Sequence, residues 1–207
     1  MKPRRIHIVG GPGSGKTSTA ARLARFYGIP AIDLDKLFWQ EASGGYGTKA
    51  APEERDAALQ AILEQPAWIT EGVYQSWVGR CFEEADVVLI MNTPVWLRHW
   101  RILIRFVKRW LGLEQSKHES LADLFQLLRW NHAYDRKTLL AIRRMLMDQG
   151  RNAIECRDCA DALEALERQS RALHPAVGSC MDLPLKGQIP PEAGAVEPTS
   201  GAHRREA

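Results

Sequence analysis

Eight residues near the N-terminus, Gly10-Gly11-Pro12-Gly13-Ser14-Gly15-Lys16-Thr17, carry the pattern G-x-x-x-x-G-K-[ST] through Gly10, Gly15, Lys16 and Thr17. These residue types suit phosphate chemistry. Glycines let the backbone turn so that successive N–H groups point inward around phosphate oxygens. A helix beginning just after the glycines adds the positive end of its dipole. Lys16 would reach the β- and γ-phosphates, the Thr17 hydroxyl would ligate magnesium, and Ser18 completes the set expected to hold the nucleotide. The competing reading is a glycine-rich turn that carries a lysine by coincidence. Four specified positions between an expected strand and an expected helix argue against it. No N-K-x-D-type element that would read guanine follows the fourth strand, so the expected ligand is ATP with Mg2+.

A phosphate loop does not say where the γ-phosphate goes. Asp33-Leu34-Asp35 places two carboxylates on alternate positions beyond a short apolar run. One of them could accept a proton from an acceptor hydroxyl, the role assigned to Asp35, or hold magnesium through water, the role assigned to Asp33. A solvated pair capping the next helix is the alternative. Glu71 ends a further apolar run and could orient magnesium-bound water; a surface turn acid is its alternative.

The stretch after Pro94 sets Arg98, Arg101, Arg105, Lys108 and Arg109 on one side at helical spacing, with no acid among them. Leu97, Trp100, Ile104, Val107 and Leu111 form the neighbouring apolar stripe. Three readings stay open: arginines facing a triphosphate, a solvated basic face, or a patch for nucleic acid or anionic lipid.

These residues need a frame that brings them together. Residues 5–9, 30–33, 68–70, 87–91 and 152–155 read as strands. Helices are expected over 17–27, from Pro52 to a stop at Pro66, from Pro94 to about Leu111, over 121–147 with an interruption near Asn131, and over 159–171. The run Val87-Val88-Leu89-Ile90-Met91 is apolar throughout, as a strand covered on both faces should be. Strands alternating with helices predict an α/β fold with a parallel sheet. Ligands of such sheets sit beyond the C-terminal strand ends, where Gly10, Asp33 and Glu71 all fall.

The 207 residues are 45% hydrophobic and 26% charged with a net charge of +3, which suits one folded domain over residues 1–173 and excludes disorder of the whole chain. Residues 174–207, rich in proline and without an aromatic residue, are expected to be a flexible tail, and the glycine-rich 42–51 a loop. The apolar run before the glycines is too short for a signal-peptide core, and no run is long enough to span a membrane, so the cytoplasm is the expected compartment. Cys156 and Cys159 form C-x-x-C without a second pair, so they read as incidental thiols. The histidines show no metal spacing, and most of the seven tryptophans are expected in the core.

The chain resembles the adenylate-kinase-like branch of the P-loop kinases and, within it, the small bacterial DNA topology modulation (FlaR-like) proteins. Four segments carry the resemblance: residues 10–17, 32–35, 68–74 (Trp68-Ile69-Thr70-Glu71-Gly72-Val73-Tyr74) and 85–94 with the arginine helix behind it. The resemblance implies a P-loop NTPase fold, a five-stranded parallel sheet with helices on both faces and a helical lid over about 98–137. It implies that Glu71 serves magnesium, that Arg101 and Arg105 open the lid, and that Arg136 and Lys137 follow it. Tyr74 and Arg80 would then touch the acceptor. The departures are as informative. Adenylate kinases hold the monophosphate with two arginines, and here Phe38 and Gln75 occupy those places; Arg80 and Arg55 are the available substitutes. Asn92 stands where the FlaR-like group usually has an aspartate.

The leading expectation is transfer of the ATP γ-phosphate to a small-molecule or nucleotide acceptor, with Lys16, Arg101 and Arg105 stabilising charge and Asp35 positioning or deprotonating the acceptor. The rival is a nucleotide-binding regulator of DNA topology whose basic helix contacts DNA, although no DNA-reading motif is present. A plain NTPase switch has less in its favour, and a monomer or homodimer fits either leading case.

Overall fold

A computed structural model describes residues 2–39, 49–113, 120–151 and 153–172. The expected tail over 174–207, most of the 42–51 loop, Asn152, Cys180 and the 114–119 part of the expected lid lie outside these residues. Five strands, β1 (Arg5–Gly10), β2 (Ala31–Asp33), β3 (Trp68–Gly72), β4 (Val87–Met91) and β5 (Ala153–Cys156), form one parallel sheet in the order β2-β3-β1-β4-β5. The crossovers carry α1 (Lys16–Tyr27), the four-residue α2 (Asp35–Phe38), α3 (Pro52–Leu63), α4 (Gly79–Glu84), α5 (Val95–Trp110), α6 (Leu121–Tyr134) and α7 (Leu140–Asp148), and α8 (Cys159–Ala172) follows β5. The short α2 and α4 have too few turns for an apolar period to announce them.

Strand alternation sends side chains to two cores. Ile6, Ile8 and Leu89 pack with Leu23 of α1 and Leu166 of α8. Val9, Val88 and Ile90 pack on the other face with Leu59 and Leu63 of α3, Phe82 of α4 and Ile142 and Leu146 of α7. Helix α1 ends as its glycine predicts: Gly28 takes φ 68° and donates its N–H to the Ala24 carbonyl at 2.9 Å.

His7 sits in that second core, fully buried, its ring 4.5 Å from Phe82 and its Nδ1 2.9 Å from the Thr70 hydroxyl. Burial holds its pKa at about 3, below the ordinary 6.5, with the Thr70 hydrogen bond opposing the shift. A base whose folded pKa is depressed leaves the unfolded chain as the better proton binder between those values. Its contribution is complete above pH 6.5 and is lost as pH falls toward 3. Urea titrations over that window should show stability falling with acid, and the slope should shrink in His7→Leu.

One expectation about the helices is corrected. The 121–147 stretch is not interrupted at Asn131. It runs α-helical to Tyr134, passes through a π-helical segment over Asp135–Leu139 and resumes as α7. The irregularity falls where the Asp135 carboxylate binds Arg98 at 2.6 Å. Helix α5 is turned the other way from an ordinary surface helix. Arg98 and Ile102 face the body of the protein, while Trp100, Val107 and Leu111 of the apolar stripe are exposed, with Trp96, Trp100 and Trp110 at 70%, 58% and 79%. With Trp130 also exposed, only Trp68 of the tryptophans is fully buried, against the expectation that most lie in the core. Burying Arg98 against the phosphate loop is what fixes this orientation.

Candidate active site

The loop after β1 is built by its glycines. Gly13 and Gly15 take φ 74° and 93°, left-handed values that side chains disfavour. Gly13 also has a contact reason: a Cβ there would lie 2.7 Å from the Arg98 carbonyl oxygen. The turn closes with Ser14 N–H donating to the Gly11 carbonyl at 3.2 Å, and α1 begins at Lys16. Thr93, just beyond β4, donates its hydroxyl toward the carbonyls of Ser14 (2.9 Å) and Arg157 (2.8 Å), tying the loop to the next strand end. Sequence reasoning missed this latch, although Thr93 precedes the Pro94 that starts α5.

Sheet register gathers the acids. Asp33 pairs with Glu71 across β2 and β3, and Glu71 pairs with Ile8 across β3 and β1, two residues before Gly10. Thr17 donates its hydroxyl to Glu71 Oε1 at 2.6 Å. Glu71 is buried, which pushes its pKa above the ordinary carboxyl range while the Lys16 ammonium and the Thr17 hydrogen bond pull it back. Lys16, 8% exposed, lies with Nζ 3.4 Å from the Gly11 carbonyl. Burial lowers its pKa, and the charges of Glu71, Asp35 and Asp33 oppose that shift. Asp33 is half-buried and raised chiefly by desolvation; its Oδ1 accepts the Asp35 N–H at 2.9 Å at the start of α2.

A cleft of about 500 Å³ opens over these residues, lined by Pro12, Gly13, Gly15, Lys16, Thr17 and Ser18 of the loop, by Asp35, Glu71 and Tyr74, and by Arg101 and Arg105 of α5. Arg101 donates to the Gly13 carbonyl at 3.1 Å. Gly10 and Gly11 shape the turn beneath the cleft, and Ser14 is buried behind it. The arginines of α5 thus have separate places: Arg101 and Arg105 line the cleft, whereas Arg98 is buried at 1% exposure and bound to Asp135. A buried Arg98 cannot belong to a DNA-contacting or solvated face.

Other expected residues stand elsewhere. Arg80 turns away to Glu84 at 2.7 Å and does not line the cleft, because the i,i+4 partner on α4 claims its guanidinium. Arg55 pairs with Asp56 at 2.9 Å and lies 4.6 Å over the Trp77 ring. Arg136 and Lys137 lie exposed on the π-helical segment and are not among the residues lining the cleft. Sequence reasoning did not single out Trp39, Leu127 and Trp130, which do line it, and it met Phe38 only as a departure.

The oxygen donors fit magnesium. Thr17 and Glu71 present a hydroxyl and a carboxylate 2.6 Å apart, with Asp33 next in register. Among the described residues no group of three or more His, Cys, Asp or Glu side chains could hold a metal ion alone. Magnesium, which keeps its waters and binds through phosphates plus one or two protein oxygens, needs no such group.

No family model matches the chain. Over 63 residues it is 36% identical to shikimate kinase of Paracidovorax citrulli (strain AAC00-1), a stretch that makes up 28% of this chain and 34% of that protein. The chain thus spans about a third of the length of this curated relative. Among solved structures it is similar to shikimate kinase from Acinetobacter baumannii in complex with shikimate, with a TM-score of 0.50, 19% identity and coverage of 82% of this chain and 92% of that one. A gluconokinase from Sinorhizobium meliloti 1021 matches with a TM-score of 0.49 and 19% identity over 83% of this chain and 96% of that one. The fold is the α/β P-loop kinase fold, an all-parallel five-stranded sheet with helices on both faces. No helix among the described residues is long and apolar enough to cross a membrane.

Proposed function

We propose that this protein is an ATP-dependent phosphotransferase that moves the γ-phosphate to a hydroxyl of a small acceptor, and that residues 1–173 carry the activity, with α5 and α6 contributing to its lid. The observation that carries the reading is one cleft lined at once by Lys16, Thr17, Glu71, Arg101, Arg105 and Asp35. A bare triphosphate switch has no use for a further carboxylate, Asp35, lining the cleft. The short stretch shared with a shikimate kinase supports a hydroxyl-bearing acceptor.

In this reading the loop N–H groups and the α1 dipole bind the β- and γ-phosphates, and Lys16 offsets their charge in a site where burial strengthens every interaction. Arg101 and Arg105 meet the charge that spreads over the phosphoryl oxygens during transfer. Thr17 and Glu71, with Asp33 beside them, would hold magnesium, which supplies charge neutralisation at the β- and γ-oxygens when bound. Asp35 orients the acceptor hydroxyl and takes its proton.

The test is ADP release from magnesium ATP in the presence of a panel of hydroxyl compounds and nucleotides. At least one acceptor should raise the rate well above hydrolysis and gain a phosphate by mass spectrometry. Slow hydrolysis, indifferent to every acceptor, would sink the reading.

A further inference from the structure

Part of the cleft lining is aromatic: Phe38, Trp39, Tyr74 and Trp130. Phe38, closing α2, lies 4.8 Å from the Tyr74 ring at a 30° tilt, 6.1 Å from Trp77 at 26°, and 5.0 Å from Trp39 edge-on. Tyr74 and Trp77 are themselves 5.2 Å apart, so the rings form one cluster, of which Phe38, Trp39 and Tyr74 form the cleft wall. Trp130, from α6, lines the same cleft. The Tyr74 hydroxyl interacts with the Asp35 carboxylate, which joins the wall to the acid.

Among the described residues, the two arginines that could replace the missing monophosphate clamp are paired, and the Lys49 ammonium lies 5.7 Å over the Phe38 ring. Arg55 is paired with Asp56 and lies 4.6 Å over the Trp77 ring, and Arg80 is paired with Glu84. A phosphate monoester placed on rings would lose its hydration without charge-assisted donors to replace it. A polyol with several hydroxyls fares little better. Among the described cleft residues beside these rings, Asp35, Tyr74 and the indole N–H groups of Trp39 and Trp130 supply the polar atoms, short of the paired donors and acceptors that several hydroxyls need. A flat ring gains from stacking whatever its substituents.

We propose that the acceptor is an unphosphorylated, uncharged compound with a planar aromatic ring and an alkyl hydroxyl, its ring against Phe38 and Tyr74 and its hydroxyl at Asp35. Nucleosides and hydroxymethyl heteroaromatics share this chemistry. The inference rests on the phosphotransferase reading above. In the step, the acceptor oxygen bonds to the γ-phosphorus of ATP and the bond from that phosphorus to the β–γ bridging oxygen breaks. The acceptor proton passes to Asp35, and ADP leaves with the bridging oxygen.

The experiment compares three groups of acceptor with magnesium ATP: nucleosides and hydroxymethyl-pyrimidines or -pyridines in separate arms, the matching nucleoside 5′-monophosphates, and cyclic polyols including shikimate. Transfer is expected to at least one unphosphorylated ring alcohol, with a lower KM than any monophosphate or polyol. Phe38→Ala should raise the acceptor KM roughly tenfold, as losing one stacking face does, with the KM for ATP unchanged. Trp130→Leu, at a half-exposed position less exposed to a folding defect, should act in the same direction, and Phe38→Tyr should restore the acceptor KM. Transfer confined to monophosphates or polyols, or an acceptor KM unmoved by both Phe38→Ala and Trp130→Leu, would overturn this inference and leave the phosphotransferase reading standing. Transfer to no acceptor in any group would overturn both.

Discussion

Lys16→Ala is expected to lower the rate of phosphoryl transfer by on the order of 10²–10³-fold and to remove most ATP affinity, the loss seen when one preorganised charge-stabilising group is deleted. The side chain is 8% exposed, so its charge acts with little screening by water. It also balances three carboxylates, since Glu71, Asp35 and Asp33 all interact with it. Deletion therefore has a second consequence. Glu71 would lose the ammonium that opposes its burial, its pKa would rise further, and it would accept a proton more readily. A neutral Glu71 is a poorer partner for magnesium, so the magnesium dependence of residual activity should shift to higher metal concentration and higher pH. Isothermal titration with ATP, with and without magnesium, reads both effects. Thermal unfolding of the variant separates them from loss of fold. An ATP affinity unchanged in the folded variant would remove the basis of the proposed function.

The donor end of the site was legible because its chemistry restricts residue type. Only glycine tolerates φ 93° before α1, only a lysine reaches back over the turn, and parallel register carries Asp33 and Glu71 to the same edge as Gly10 without further information. The orientation of α5 was not legible in the same way. Its periodicity divides a basic side from an apolar side, but period alone does not say which side faces in. The decision lies in a fit between distant residues. A Cβ on Gly11 would collide with the Arg98 guanidinium, so the absence of that side chain is what admits an arginine under the loop. The aromatic wall was hidden for a related reason. Phe38 lies on a different segment from Tyr74 and Trp77, and the four-residue α2 that brings Phe38 onto the segment after β3 is too short to leave a pattern. Arg80 and Arg55, the substitutes expected for the missing arginine clamp, pair instead with acids on their own helices, Glu84 on α4 and Asp56 on α3.

Arg98→Ala should then destabilise the fold by about 3 kcal/mol, nearer a buried ion pair than a surface one. Arg98 is 1% exposed and its Nη2 binds Asp135 at 2.6 Å, whereas Asp135 is 32% exposed. Water can reach the orphaned carboxylate, which keeps the cost below that of a fully buried charge left alone. Most of the loss comes from the space behind the phosphate loop. Asn131, the Tyr134 hydroxyl and the Ser14 hydroxyl are buried there without a hydrogen-bond partner among the described residues, and the guanidinium is the packing that holds them apart. Arg98→Met, which restores an unbranched stem but not the fork, should recover part of that packing and leave the pairing lost. Urea unfolding of the two variants, alone and combined with Asp135→Asn, separates the terms: the double variant should be less destabilised than the sum of its parts. ATP affinity should fall in both Arg98 variants, because the Arg98 guanidinium packs against Gly11 and supports the loop from behind. A loss under about 0.5 kcal/mol, the value for an exposed pair, would mean that Arg98 is solvated as the basic-face reading supposed, and would reopen α5 as a surface for polyanions.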